Sequence, residues 1–166
     1  RSSAGRGSTF TLELPRAATT LADLHAPDDA GLPDATYRRR VVHYIEDNET
    51  NAEVMRGILA LRPQIQLDIS ALGLDGLAAI RARRPSLILL DMHLPDIDGL
   101  ELLRHLQADP DTADIPVIVV SADATQARIA QAIAAGATHY LTKPVNVPQF
   151  LSALDEVLEQ LDTQFG

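Results

Sequence analysis

Four short apolar runs in this chain end in residues that can do chemistry. Val41-Val42-His43-Tyr44-Ile45 runs into Glu46-Asp47, and Leu87-Ile88-Leu89-Leu90 runs into Asp91. Val117-Ile118-Val119-Val120 runs into Ser121, and His139-Tyr140-Leu141 runs into Thr142-Lys143-Pro144. Brought to one place, these ends supply three carboxylates, a hydroxyl and an ammonium. Clustered carboxylates repel one another and cost stability unless a cation sits with them. Mg2+ suits such oxygen ligands and leaves positions open for phosphate oxygens. A carboxylate can accept a phosphoryl group, with lysine and serine binding the remaining oxygens. The residue types therefore predict Mg2+-dependent phosphoryl transfer.

Each residue also has a plainer use. Glu46-Asp47 can cap the helix that follows. Asp91 can be a loop acid, Ser121 can cap the fourth helix, and Lys143 can be a solvated turn residue. The coincidence of four strand ends, rather than any one of them, favours the chemical use.

The elements that would position these residues follow from periodicity. The apolar runs read as strands buried on both faces, and Ile65 to Ile69 adds an alternating strand. Between them lie helical patterns. Val54, Met55, Ile58 and Leu59 mark the first helix, and the stretch from Leu74 to Arg83 the second. Leu100, Leu103 and Leu106 mark the third; Ile129 and Ile133 mark the fourth, stopped by Gly136. Phe150, Leu151, Leu154, Val157, Leu158 and Leu161 give the last an amphipathic face. Strands alternating with helices imply parallel pairing and right-handed crossovers, hence an α/β, doubly wound sheet. In such sheets the working crevice lies at the carboxyl ends of the strands, where the reactive residues stand.

Composition bounds the function. The 166 residues are 46% hydrophobic and 22% charged, enough apolar content for a packed core. A net charge of -9 disfavours nucleic acid or an anionic membrane as partner. The acidity is uneven: residues 1–40 hold six Arg and five acidic residues, and residues 41–166 hold the rest. Cysteine is absent, which excludes disulfides, thiolate metal sites and thiol nucleophiles. No apolar run approaches the roughly 18 residues that span a bilayer. With no secretory signal and Arg rather than Met at position 1, we expect a fragment of a cytoplasmic protein.

The motifs Ile45-Glu46-Asp47-Asn48, Leu89-Leu90-Asp91-Met92-His93-Leu94-Pro95-Asp96-Ile97-Asp98-Gly99, Val119-Val120-Ser121-Ala122 and Tyr140-Leu141-Thr142-Lys143-Pro144, at these intervals, resemble the receiver domains of two-component response regulators. The resemblance covers roughly residues 40–163. It implies a flavodoxin-like (βα)5 fold with strand order 2-1-3-4-5, an order the chemotaxis member of the family exemplifies. It also implies roles. Asp91 would be the phosphoacceptor, and Mg2+ would be held by Asp47, Glu46, Asp91 and the His93 carbonyl. Lys143 would pair with the phosphoryl group, Ser121 would bind one of its oxygens and shift, and Tyr140 would change rotamer with it. The Lys143-Pro144 bond would be cis, which proline makes accessible. The His93 side chain would tune access of the hydrolytic water, with Asp123 a second candidate for that work. Tyr140 can equally be a half-buried strand aromatic, and His93 a solvated histidine.

Gly5-Arg6-Gly7-Ser8-Thr9-Phe10-Thr11-Leu12-Glu13-Leu14-Pro15 alternates from Thr9 and ends at a proline. It resembles the last strand of a histidine-kinase ATP-binding domain. Residues 1–16 are thus expected to be a remnant of that domain, without ATP binding, residues 17–39 a linker, and residues 40–166 the receiver. Together they resemble the carboxyl-terminal end of a hybrid sensor histidine kinase. The expected donor is a phosphohistidine of the parent kinase, or a histidine phosphotransfer domain, with homodimerisation through the kinase. No DNA-binding domain is expected, the chain ending soon after the last helix. The fragment itself would catalyse only its own phosphorylation and dephosphorylation. Two alternatives stand beside this. An aspartate-nucleophile phosphatase usually carries a second Asp where this chain has His93, and a non-phosphorylated docking module would not need the full residue set.

Overall fold

The computed structural model describes residues 39–164. The strand expected over residues 1–16 and nearly all of the expected linker lie outside them. Ten elements alternate: β1 (Arg40–Ile45), α1 (Glu49–Leu59), β2 (Ile65–Ser70), α2 (Gly73–Ala82), β3 (Leu87–Leu90), α3 (Gly99–Ala108), β4 (Val117–Ser121), α4 (Gln126–Ala134), β5 (His139–Thr142) and α5 (Val147–Gln164). The five strands form one parallel sheet in the order β2-β1-β3-β4-β5, the flavodoxin-like arrangement expected.

The period-2 alternation of side chains splits β1, β3 and β4 between two cores. Val42, Tyr44, Leu87, Leu89, Ile118 and Val120 face α1 and α5, against Met55, Phe150 and Leu154. Ile45, Ile88, Leu90, Val117 and Val119 face α2, α3 and α4, against Ile80, Leu103 and Ala132. The central strand β3 is fully buried, and each such leucine contributes about 1.5–3 kcal/mol of burial free energy. β2 is an edge strand, half-buried along its length, which is why its sequence alternates.

Helix starts are fixed locally. The Asn48 side chain accepts from Asn51 N and caps α1, and Asp98 accepts from Leu100 N and caps α3. Gly136 takes φ +108° just past α4, the left-handed stop anticipated there. The helical faces are narrower than periodicity suggested. Val54 is 52% exposed and Leu74 54%, so neither belongs to its helix's buried stripe. On α4 the buried residue is Ala132, while Ile133 is 47% exposed. A residue as small as Ala132 lets α4 lie close to the sheet, and the bulkier Ile133 falls on the outer face. No helix among the described residues is long and apolar enough to cross a membrane.

Candidate functional site

The topology delivers the reactive residues to one edge. Glu46 follows the last residue of β1, Asp91 the last of β3, and Lys143 the last of β5; Ser121 ends β4. The neighbouring β1 and β3 are held in register past their ends, where Asp91 N donates to Ile45 O at 3.1 Å. Across β4 and β5, Lys143 N donates to Ser121 O at 2.9 Å. The Lys143-Pro144 bond is cis.

Glu46, Asp47 and Asp91 offer carboxylate oxygens that all lie within 4.8 Å of one another. Glu46 and Asp91 are buried and Asp47 is exposed, so the cluster opens to solvent on one side. Lys143 Nζ lies 2.6 Å from Glu46 Oε2 and 3.6 Å from Asp91 Oδ1. Lys143 is therefore not the solvated turn residue of the plainer interpretation: its side chain is only 16% exposed. Nor do Glu46 and Ser121 serve as helix caps. Asn48 caps α1, Thr125 is the N-cap of α4 and makes no side-chain cap bond, and Ser121 is fully buried.

The two buried carboxylates are tuned in opposite directions. Burial pushes Glu46 up, but hydrogen bonds from Lys143, Asn48 N and Tyr44 more than offset it and hold its pKa below the ordinary value. Burial likewise pushes Asp91 up. Lys143 and the His93 N–H offset part of that, the Glu46 charge adds to it, and the balance lies above the ordinary value. A buried acid with a raised pKa beside a fixed anion is short of positive charge. Three hard oxygen donors open to solvent on one side suit an oxygen-loving divalent cation.

Ser121 and Tyr140 meet on Asp123. Asp123 N donates to Ser121 Oγ at 3.2 Å, and the Tyr140 hydroxyl donates to Asp123 O at 2.6 Å. Tyr140 is half-buried against the α2/α3/α4 core. The Asp123 carboxylate is engaged elsewhere, accepting from Thr125 N at 2.9 Å and Thr125 Oγ1 at 2.8 Å. These bonds hold its pKa below the ordinary value. The His93 side chain, two residues past Asp91, is exposed, and its backbone pairs with Asp98 in an isolated antiparallel bridge.

Several positioning residues escaped the sequence analysis. The buried Tyr44 hydroxyl donates to Glu46 Oε2 at 2.8 Å. Tyr44 precedes Glu46 by two along a strand, so the strand period could have placed both on one side. The Asp96 carboxylate accepts from Gly73 N and Leu74 N, both at 2.8 Å, tying the loop after Asp91 to the start of α2. Asp98 pairs with Arg128 of α4 at 2.5 Å. Both are tertiary contacts with no local signature. At Gly99, an added Cβ would sit 2.5 Å from Met92 Cα and 2.7 Å from Asp91 O, so the loop after Asp91 closes onto a residue that must lack a side chain.

Comparison with known proteins agrees with this geometry. A family model for the response regulator receiver domain matches residues 42–155. The chain is 33% identical over 117 residues to the polar-differentiation response regulator DivK of Brucella anthropi, covering 70% of this chain and 94% of the relative. A CheY-like receiver domain protein of Methanospirillum hungatei superposes with a TM-score of 0.69 at 26% identity, covering 75% of this chain and 98% of that one. The receiver domain of the sensor histidine kinase PA1611 from Pseudomonas aeruginosa, solved with a magnesium ion coordinated in its active site cleft, superposes with a TM-score of 0.66 at 25% identity, covering 72% and 98%. On the extent of the family match, the shared strand order and the acidic pocket at the strand ends, this chain belongs to the response regulator receiver domain family.

Proposed function

We propose that this receiver domain accepts a phosphoryl group on Asp91 from a phosphohistidine, in a phosphorelay. The observation that carries this is the placement of the buried Asp91 carboxylate within 4.8 Å of carboxylate oxygens of Glu46 and Asp47 and 3.6 Å from the Lys143 ammonium. In the transfer, the P–N bond to the donor imidazole breaks and a P–O bond to an Asp91 oxygen forms. Asp91 must be ionised to attack, and its raised pKa means that added positive charge favours the reactive form. Glu46, Asp47 and Asp91, with the His93 carbonyl, would hold Mg2+, a reading supported by the magnesium ion in the Pseudomonas relative. When bound, Mg2+ neutralises the oxygens of the transferring phosphoryl group. Lys143, already 3.6 Å from Asp91, supplies the second cation.

Ser121 and Tyr140 form the path outward. A phosphoryl oxygen would accept from the Ser121 hydroxyl while Ser121 Oγ accepts from Asp123 N, so a shift of Ser121 toward the phosphoryl group would pull on that second bond. Any shift of Asp123 reaches the Tyr140 hydroxyl directly, because both bonds are made by one backbone unit. The face of α4, β5 and α5 is thereby altered, which is a local charge event with a remote readout. The sequence of residues 5–15, and the likeness to a receiver belonging to a sensor histidine kinase, support placement in a hybrid kinase that dimerises through its kinase part. The partner is then the phosphohistidine of that kinase or of a histidine phosphotransfer domain.

Phosphoramidate carries the same P–N bond as the natural donor class and provides the test. With Mg2+, the chain should gain a single acid-stable, hydroxylamine-labile phosphoryl group, and a chelator should abolish the gain. Labelling that persists in chelator would overturn the proposal.

A further inference from the structure

The geometry points to Tyr44 as a positioning residue for the cation site: its buried hydroxyl, donated to Glu46 Oε2, holds that carboxylate beside Asp47 and Asp91. This rests on the phosphoacceptor reading only in taking the three carboxylates as a cation site.

Glu46 is held by three donors of unequal firmness. Oε1 accepts from Asn48 N at 3.0 Å. Oε2 accepts from the Tyr44 hydroxyl at 2.8 Å and from Lys143 Nζ at 2.6 Å. The Asn48 donor is fixed by the backbone that caps α1. The Tyr44 donor is fixed by the core, since its ring is 1% exposed among the residues facing α1 and α5. Lys143 is the mobile one: it sits on a flexible stem and is shared with Asp91.

A glutamate carries one more rotatable bond than an aspartate at the same place. Its carboxylate must be immobilised to act as a ligand, and ordering it at the moment of binding weakens affinity. Asn48 N and Tyr44 grip one oxygen each and do that ordering in advance. When Lys143 moves onto a phosphoryl group, these two grips remain. At 2% exposure Glu46 has no bulk water to replace a lost donor. A tyrosine that used Glu46 merely to satisfy its own buried hydroxyl would affect folding and leave cation affinity alone.

Calorimetric titration of the 166-residue chain with Mg2+ separates the two roles. Tyr44→Phe keeps the ring and should weaken Mg2+ binding about tenfold, the worth of one hydrogen bond to a charged group. The Mg2+ half-saturation of acetyl phosphate labelling should rise by the same factor, while the labelling rate at saturating Mg2+ changes by less than about twofold. Glu46→Asp draws the carboxylate out of reach of the hydroxyl, so in that background Tyr44→Phe should add less than about twofold. Tyr44→Met, which also lacks the hydroxyl, gives the same readings should the Phe variant not fold. An unchanged Mg2+ affinity, or an equal loss in both backgrounds, overturns the inference. A wild-type chain that binds Mg2+ and takes no phosphoryl group contradicts the phosphoacceptor reading instead and leaves the affinity comparison standing; one that binds no Mg2+ overturns both.

Discussion

Lys143 rests on Glu46: its ammonium lies 2.6 Å from Glu46 Oε2 and a full ångström farther from the carboxylate it is proposed to serve, Asp91. The lysine thus neutralises Glu46 first. At the proposed cation site the lysine would compete with a divalent cation for Glu46 and be released toward Asp91 as that competition is lost. Lys143→Gln should therefore separate two properties that usually move together. Mg2+ binding should tighten a few-fold, because a competing charge is gone. Labelling of Asp91 should slow about 100-fold, as for loss of one stabiliser of developing charge. Calorimetry and single-turnover labelling read the two effects, and a parallel fall in both would contradict the competition.

Asp91 weakens the fold it serves. Its pKa is raised, chiefly by burial and further by the Glu46 charge. As pH rises past the ordinary 3.8, the unfolded chain releases this proton before the folded one, and stability falls. Asn at this position removes that penalty. In chelator at neutral pH, Asp91→Asn should show a higher urea midpoint than wild type. The gap should narrow toward pH 3.8 and on addition of Mg2+. Equal midpoints at neutral pH would mean that the carboxylate is not strained.

His43 makes a separate pH dependence. It is 5% exposed in β1, and its Nε2 lies 2.8 Å from Ser70 Oγ. Burial lowers its pKa below 6.5, with Asp68 opposing in part. A depressed histidine pKa means that the unfolded chain takes up the proton first as pH falls, so stability declines below 6.5. Glu46, lowered from 4.5, loses its contribution only at still lower pH. Urea unfolding of Asp91→Asn between about pH 7.5 and about pH 5.5 isolates the histidine, and adding His43→Asn should flatten the slope.

The loop after Asp91 tolerates no side chain at Gly99. The atoms that a Cβ would strike belong to the backbone of Met92 and Asp91, which cannot swing away as a side-chain tip would. Gly99→Ala should cost about 1–3 kcal/mol in urea unfolding, the range for overpacking. It should also slow Asp91 labelling, since relief of the clash moves Asp91 itself. A stable variant with unchanged labelling would show that the loop has slack.

The fold was legible because parallel strands buried on both faces announce themselves as apolar runs, and the residues ending them name the crevice. Glu46, Asp47, Asp91 and Lys143 were readable for that reason. What stayed hidden was contact across the chain. Asp96 caps a helix that starts 23 positions earlier, and Arg128 reaches back 30 positions to Asp98; neither leaves a local trace. Val54 and Ile133 misled because a periodic apolar residue can fall just outside the buried stripe. Tyr44 looked like one more core aromatic, and only its hydroxyl's partner distinguishes it.

Asp91 is the proposed acceptor of the phosphoryl group. Intact-mass spectrometry after incubation with acetyl phosphate and Mg2+ tests it most directly, on wild type and Asp91→Asn side by side. We expect one added phosphoryl group on the wild-type chain and none on the variant. Equal labelling of both, or labelling of neither, would contradict the assignment.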